Sequence, residues 1–148
     1  MKPFFSYLGS KYLLAKHYGA PEHPIVIEPF AGSAAYCLYH NVERAILYDL
    51  NPRIVAIWRY LISVRSSEVR RLPIDFKSTD DLRIAEEAKY LIGFWINKGA
   101  SEPCKQRSAW AIQYRNATDC KVWNEACRER IASQVDSIRR WRCYERSF

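Results

Sequence analysis

Glu28-Pro29-Phe30-Ala31-Gly32-Ser33 places a carboxylate at the end of a short apolar run and follows it with a turn of small residues. A strand that ends this way and turns into a helix lets backbone N–H groups approach a nucleotide-like ligand at the carboxyl edge of a parallel sheet. Gly32 permits close approach and unusual dihedrals there. Asp49 stands 21 residues after Glu28, at the end of a second apolar run. An acid in that position can accept hydrogen bonds from both hydroxyls of a ribose. On residue types alone, the pattern also fits an ordinary strand–turn–helix with a capping aspartate, because one glycine-containing turn is a weak signal.

The elements that must hold these residues are legible around them. Ile25-Val26-Ile27-Glu28, between Pro24 and Pro29, reads as a buried strand, and a helix follows the small-residue turn through about Tyr39. Residues 45–48 form a second apolar strand, after which Asn51 or Asp49 caps a helix with Pro52 at its first position. Ile54, Ile57, Trp58, Leu61 and Ile62 recur at helical spacing. Strand, helix, strand, helix in this order predicts an α/β fold with a mostly parallel sheet. Farther on, residues 83–98 and 121–141 each carry one apolar helical face, marked by Leu91 and Trp95 in the first and by Trp123, Cys127 and Ile131 in the second. Residues 66–82 and 99–119 read as loops, the latter with a short helical piece around 108–114, and residues 143–148 alternate like the start of a strand.

Composition narrows the function classes. The 148 residues suit one folded domain, and aromatic residues are frequent. Five cysteines occur without a Cys-x-x-Cys pair, so neither a disulfide framework nor a metal site is expected. Cys120 and Cys127, two turns apart on the expected helix, read as small core residues. No apolar run reaches the roughly 20 residues of a membrane span, and the amino terminus has no signal-peptide pattern. No membrane partner and a cytoplasmic location are the expectations. A net charge of +7, densest from Lys121 to Arg146, favours a polyanionic partner, with a solvated basic helix face as the alternative. Gly9-Ser10-Lys11 is too short a fragment of a phosphate-binding loop to support a nucleotide hydrolase.

Particular residues sharpen this reading. Glu28-Pro29-Phe30-Ala31-Gly32 is similar to motif I of the Dam-like, alpha-group DNA adenine-N6 methyltransferases, and Asp49-Leu50-Asn51 resembles the Asp-x-Asn after their second strand. Phe5-Ser6-Tyr7-Leu8-Gly9-Ser10-Lys11 resembles their motif X, with Ser10 in place of its second glycine. The three stand in the family's order. The resemblance implies a Rossmann-like methyltransferase fold that uses S-adenosylmethionine and acts on double-stranded DNA. It assigns Tyr7, Gly9 and Lys11 to the methionine end of the cofactor, Glu28, Phe30, Ala31 and Gly32 to the adenosyl part, and Asp49 to the ribose. It also divides the chain into a cofactor-binding part (1–70), a mostly helical target-recognition segment (71–142) and a strand start (143–148). Arg107, Arg115, Arg128 and Arg130 are the candidate DNA contacts.

That family completes its site with Asp-Pro-Pro-Tyr after a fourth strand, and no such tetrapeptide occurs in this sequence. No catalytic residue is therefore assigned. The expected reading is a shortened chain of the family with little or no activity alone; a non-catalytic remnant that binds cofactor or DNA is the alternative. A parallel sheet with few strands exposes apolar edges, so self-association is expected as well. A hydrogen bond to a charged group contributes about 1.5–3 kcal/mol, so Asp49→Ala should weaken cofactor binding at least about tenfold by titration calorimetry. An unchanged affinity would remove Asp49 from the site.

Overall fold

The computed structural model describes residues 1–97 and 99–146. Its elements are β1 (Val26–Glu28), α1 (Ala35–Tyr39), β2 (Ala45–Asp49), α2 (Pro52–Ser63), α3 (Ser66–Val69), α4 (Glu86–Ile96), α5 (Ala109–Gln113), α6 (Glu125–Gln134) and β3 (Arg142–Glu145). Short 3-10 turns lie at Ala15–His17, Thr79–Asp81 and Val135–Ile138. The strands form one parallel sheet in the order β1-β2-β3, with Ile27 beside Ile46 and Ile46 beside Arg142. This is the α/β architecture expected of a Rossmann-like methyltransferase fold, carried here by three strands.

Local chemistry explains the elements that position the site. Asn51 caps α2, its side chain accepting from the Arg53 N–H at 3.0 Å, and Pro52 supplies the preset φ of the first helical residue. Ile54, Val55, Ile57, Trp58 and Leu61 then fall on the buried stripe of α2, which packs against β2 and β3. Leu47 and Cys143, register partners on adjacent strands, are buried in the same core. The opposite face of the sheet is open among the described residues: Ile27 is 46% exposed, and Ile25 and Tyr144 are exposed too.

Tryptophan organises the interior. The indole N–H groups of Trp58, Trp95, Trp123 and Trp141 donate to the carbonyls of Gly32, Phe4, Pro73 and Val42 at 2.7–2.9 Å. Each ring thus fills core volume while its one polar atom stays satisfied, and each bond reaches a segment far away in sequence.

The expected helix over 121–141 is divided. Trp123 precedes the helix in a bend, its N–H donating to the Trp95 carbonyl at 2.7 Å. Asn124 then caps α6, accepting from the Cys127 N–H at 2.8 Å, and past Gln134 the chain tightens into a 3-10 turn. Cys127 is a buried helical residue as expected, whereas Cys120 precedes the helix. Asn124 is fully buried, and its amide donates to the carbonyls of Tyr114, Ala117 and Asp119, which gathers the preceding loop into a fixed turn. Periodicity could not register this, because a cap is a single residue inside an otherwise helical pattern. The helix expected over 83–98 runs from Glu86 to Ile96, and Lys98 lies outside the described residues. The expected strand at 143–148 is β3, one residue earlier, with Ser147 and Phe148 outside the described residues. The 66–82 loop contains the short helix α3.

Asn124→Ala removes the cap of α6 and strips three buried carbonyls of their donor, so it should cost about 3 kcal/mol of unfolding free energy in urea titration. A loss below about 0.5 kcal/mol would show that the 114–124 turn is held by other contacts.

Candidate functional site

The site begins at Gly32, in the turn between β1 and α1. Its φ of +45° is the left-handed region that a side chain resists. Its N–H donates to Asp49 Oδ2 at 2.8 Å, and its carbonyl accepts from the Trp58 indole at 2.8 Å. The Tyr7 ring lies against its Cα, so that a Cβ there would sit 3.3 Å from Tyr7 Cε1. The end of β2, the core face of α2 and the amino-terminal segment therefore converge on one residue. Asp49 Oδ1 also accepts from the Asn51 N–H at 2.8 Å, so its carboxylate clamps the ends of both strands together. The sequence reading had given Asp49 to a ligand ribose; the structure adds this clamping role.

Above the turn opens a cavity of about 670 Å³ at the carboxyl edge of the sheet. Tyr7, Gly9, Lys11, Glu28, Phe30, Ala31, Gly32 and Asp49 all line it, so every residue singled out for cofactor contact comes to one place. Phe30 is 80% exposed, an aromatic ring standing out of the core beside a concave wall. Gly9, at φ +83°, makes the turn that brings Tyr7 and Lys11 to the cavity. Tyr18, Tyr36, Ser10 and Ser33 line it as well. Sequence reasoning passed over these four, because nothing local to 18 or 36 says that the two segments meet.

Electrostatics distinguish the two acids. Glu28 is mostly buried; desolvation pushes its carboxyl above the usual 4.5, while hydrogen bonds from the Cys37 N–H and thiol pull it partly back. The Cys37 thiol is itself pushed up by burial and by the neighbouring Glu28, which makes it an inert donor rather than a nucleophile. The Tyr7 phenol is raised by burial, with the negative charge of Asp49 and Glu102 adding to it, and so is a neutral donor at physiological pH. The cavity thus offers carboxylates at Glu28 and Asp49 and an ammonium at Lys11, a set suited to an amphoteric, nucleoside-sized ligand. Among the described residues no group of His, Cys, Asp and Glu is arranged to hold a metal ion.

The four candidate DNA arginines lie away from this cavity. Arg107 is half-buried, donates to the carbonyls of Trp123 and Ile74, and covers the Phe76 ring. Arg128 donates to the Leu72 carbonyl and to Glu125. Arg130 donates to the Pro3 carbonyl and lies over the Trp95 ring at 5.0 Å. These three guanidinium groups hold the fold together. Arg115 differs: 48% of its side chain is exposed, and it pairs with the more exposed Asp75.

No helix among the described residues is long and apolar enough to cross a membrane. Comparison with curated proteins finds no match. A family model described as D12 class N6 adenine-specific DNA methyltransferase matches residues 7–146, which takes in the Tyr7 loop, the Gly32 turn, Asp49, the helical segment and β3. With parallel strands, the acid-ended turn and this match in agreement, the chain belongs to the D12 class N6 adenine-specific DNA methyltransferases.

Proposed function

We propose that the cavity at the Gly32 turn binds S-adenosylmethionine for methylation of adenine N6 in double-stranded DNA. The convergence of the eight expected residues on one cavity carries this reading. Its size falls in the range of small-ligand sites, about 300–1,000 Å³. Asp49, with a lone pair left on each oxygen, accepts the ribose hydroxyls; exposed Phe30 lies on the purine. Glu28, which the resemblance gives to the adenosyl part, is reassigned on its desolvated carboxyl to the ligand's α-ammonium, while Lys11 and Tyr7 hold the rest of the methionine end. When bound, the cofactor supplies an electrophilic methyl group on its sulfonium. The protein's part is orientation and exclusion of water, with Gly32 and Phe30 forming the turn against which the adenosyl group is held.

The adenine must leave the duplex for its N6 to reach that methyl. Positioning of DNA is assigned to residues 71–142, whose exposed side carries Arg115, the tilted ring pair Trp110 and Tyr114, and Lys121 over the Tyr114 ring. Of the four candidate arginines, Arg115 is the one whose exposure suits a phosphate contact; Arg107, Arg128 and Arg130 are engaged by backbone carbonyls of the fold. Since no acid–Pro–Pro–aromatic tetrapeptide is present to receive the flipped base, binding without turnover is proposed for these 148 residues alone. Self-association runs through the edge of β1, which has no neighbouring strand among the described residues and whose backbone groups there are open to a second chain.

In titration calorimetry the chain should bind S-adenosylhomocysteine and leave NAD unbound; a folded sample that binds neither ligand, or NAD alone, overturns the reading. Labelled methyl should not pass to adenine-containing duplex DNA from this chain by itself, and measurable incorporation would refute binding without turnover. Glu28→Gln should lower S-adenosylhomocysteine affinity at least about tenfold. A carboxyl raised by burial costs stability as pH climbs through its folded value, so the unliganded Gln variant should melt no lower than wild type at pH 7. Their melting points should approach each other on acidification; a variant much less stable at pH 7 would mean that the charge of Glu28 is structural. Sedimentation should show mass rising with concentration, and a clean monomer throughout would exclude edge pairing.

A further inference from the structure

The amino-terminal loop reaches the cavity through a hydroxyl pair. Residues 7–10 form a tight turn in which the Ser10 N–H donates to the Tyr7 carbonyl at 3.1 Å and Gly9 takes φ +83°. The turn is held from one side by the Leu8 N–H, which donates to the Ala100 carbonyl at 3.1 Å. From the other side Ser33 Oγ donates to Ser10 Oγ at 2.7 Å. Ser33 is 4% exposed and directly follows Gly32, so its position is as fixed as the turn itself. Ser33 thereby holds the Ser10 hydroxyl in place beside the turn.

Ser10 and the adjacent Lys11 both line the cavity. A hydroxyl next to an ammonium suits an anionic group, while the carboxylates of Glu28 and Asp49 suit the cationic and hydroxyl-bearing parts of a ligand. Resting on the cofactor reading above, we propose that Ser10, held by Ser33, is a binding residue for the carboxylate of the cofactor's amino-acid moiety.

Two ligands separate this role from general support of the loop: S-adenosylhomocysteine, which carries that carboxylate, and 5′-methylthioadenosine, which lacks it. Ser10→Ala should weaken S-adenosylhomocysteine about tenfold and leave 5′-methylthioadenosine unchanged. Ser33→Ala should lose less, the double variant no more than Ser10→Ala, and Ser10→Thr should restore binding. The unliganded Ser10→Ala protein, altered at an exposed side chain, should keep its melting temperature. Equal losses for both ligands, or an unchanged affinity for S-adenosylhomocysteine, overturn the proposal while leaving the cofactor reading in place. A wild-type chain that binds neither ligand removes that reading and this inference together.

Discussion

The pinning of Gly32 is the constraint on which the rest of the structure turns. A residue with positive φ between a strand and a helix has no secondary structure to hold it, yet both of its backbone polar groups are bonded by side chains from elsewhere. Asp49 comes from the end of the neighbouring strand and Trp58 from the helix beneath, and Tyr7 closes the third side. Moving any one of the three would displace the turn and, with it, the floor of the cavity. The floor is therefore preorganised, and binding need not pay for ordering it.

The same logic governs the arginines. A basic chain of a DNA-modifying family suggests that its cations face DNA, but Arg107, Arg128, Arg130 and Arg139 all donate to backbone carbonyls of loops and helix ends. Such carbonyls need donors once they are turned away from water. Guanidinium suits the task, since its rigid fork serves two carbonyls at once and its flat face covers an aromatic ring, as Arg107 does between Trp123, Ile74 and Phe76. Net charge speaks to solubility and partners; it does not say which cation is exposed.

Glu28 sets local stability against binding. Its burial raises the cost of the charged form, and the Cys37 N–H and thiol offset only part of it. A site that keeps a desolvated carboxylate is disposed toward a cationic ligand, because the ligand's charge relieves what the fold alone leaves uncompensated.

The sequence by itself determined the first seventy residues in most respects. Proline-bounded apolar runs, a capped helix and an acid at each strand end are local signals, and they placed β1, β2 and α2, while the eight cavity residues came from the resemblance to family motifs. Tertiary structure decided what no local pattern can carry. Asn124 interrupts a helical periodicity because its amide collects three carbonyls of the preceding loop, and Arg107, Arg128 and Arg130 became structural because carbonyls happened to face them. Ser10 and Ser33 are 23 residues apart, and nothing in either motif says that their side chains meet. They meet only because Gly32 is pinned and the Tyr7 turn folds over it, a contact made by the path of the chain rather than by any propensity of the residues that make it.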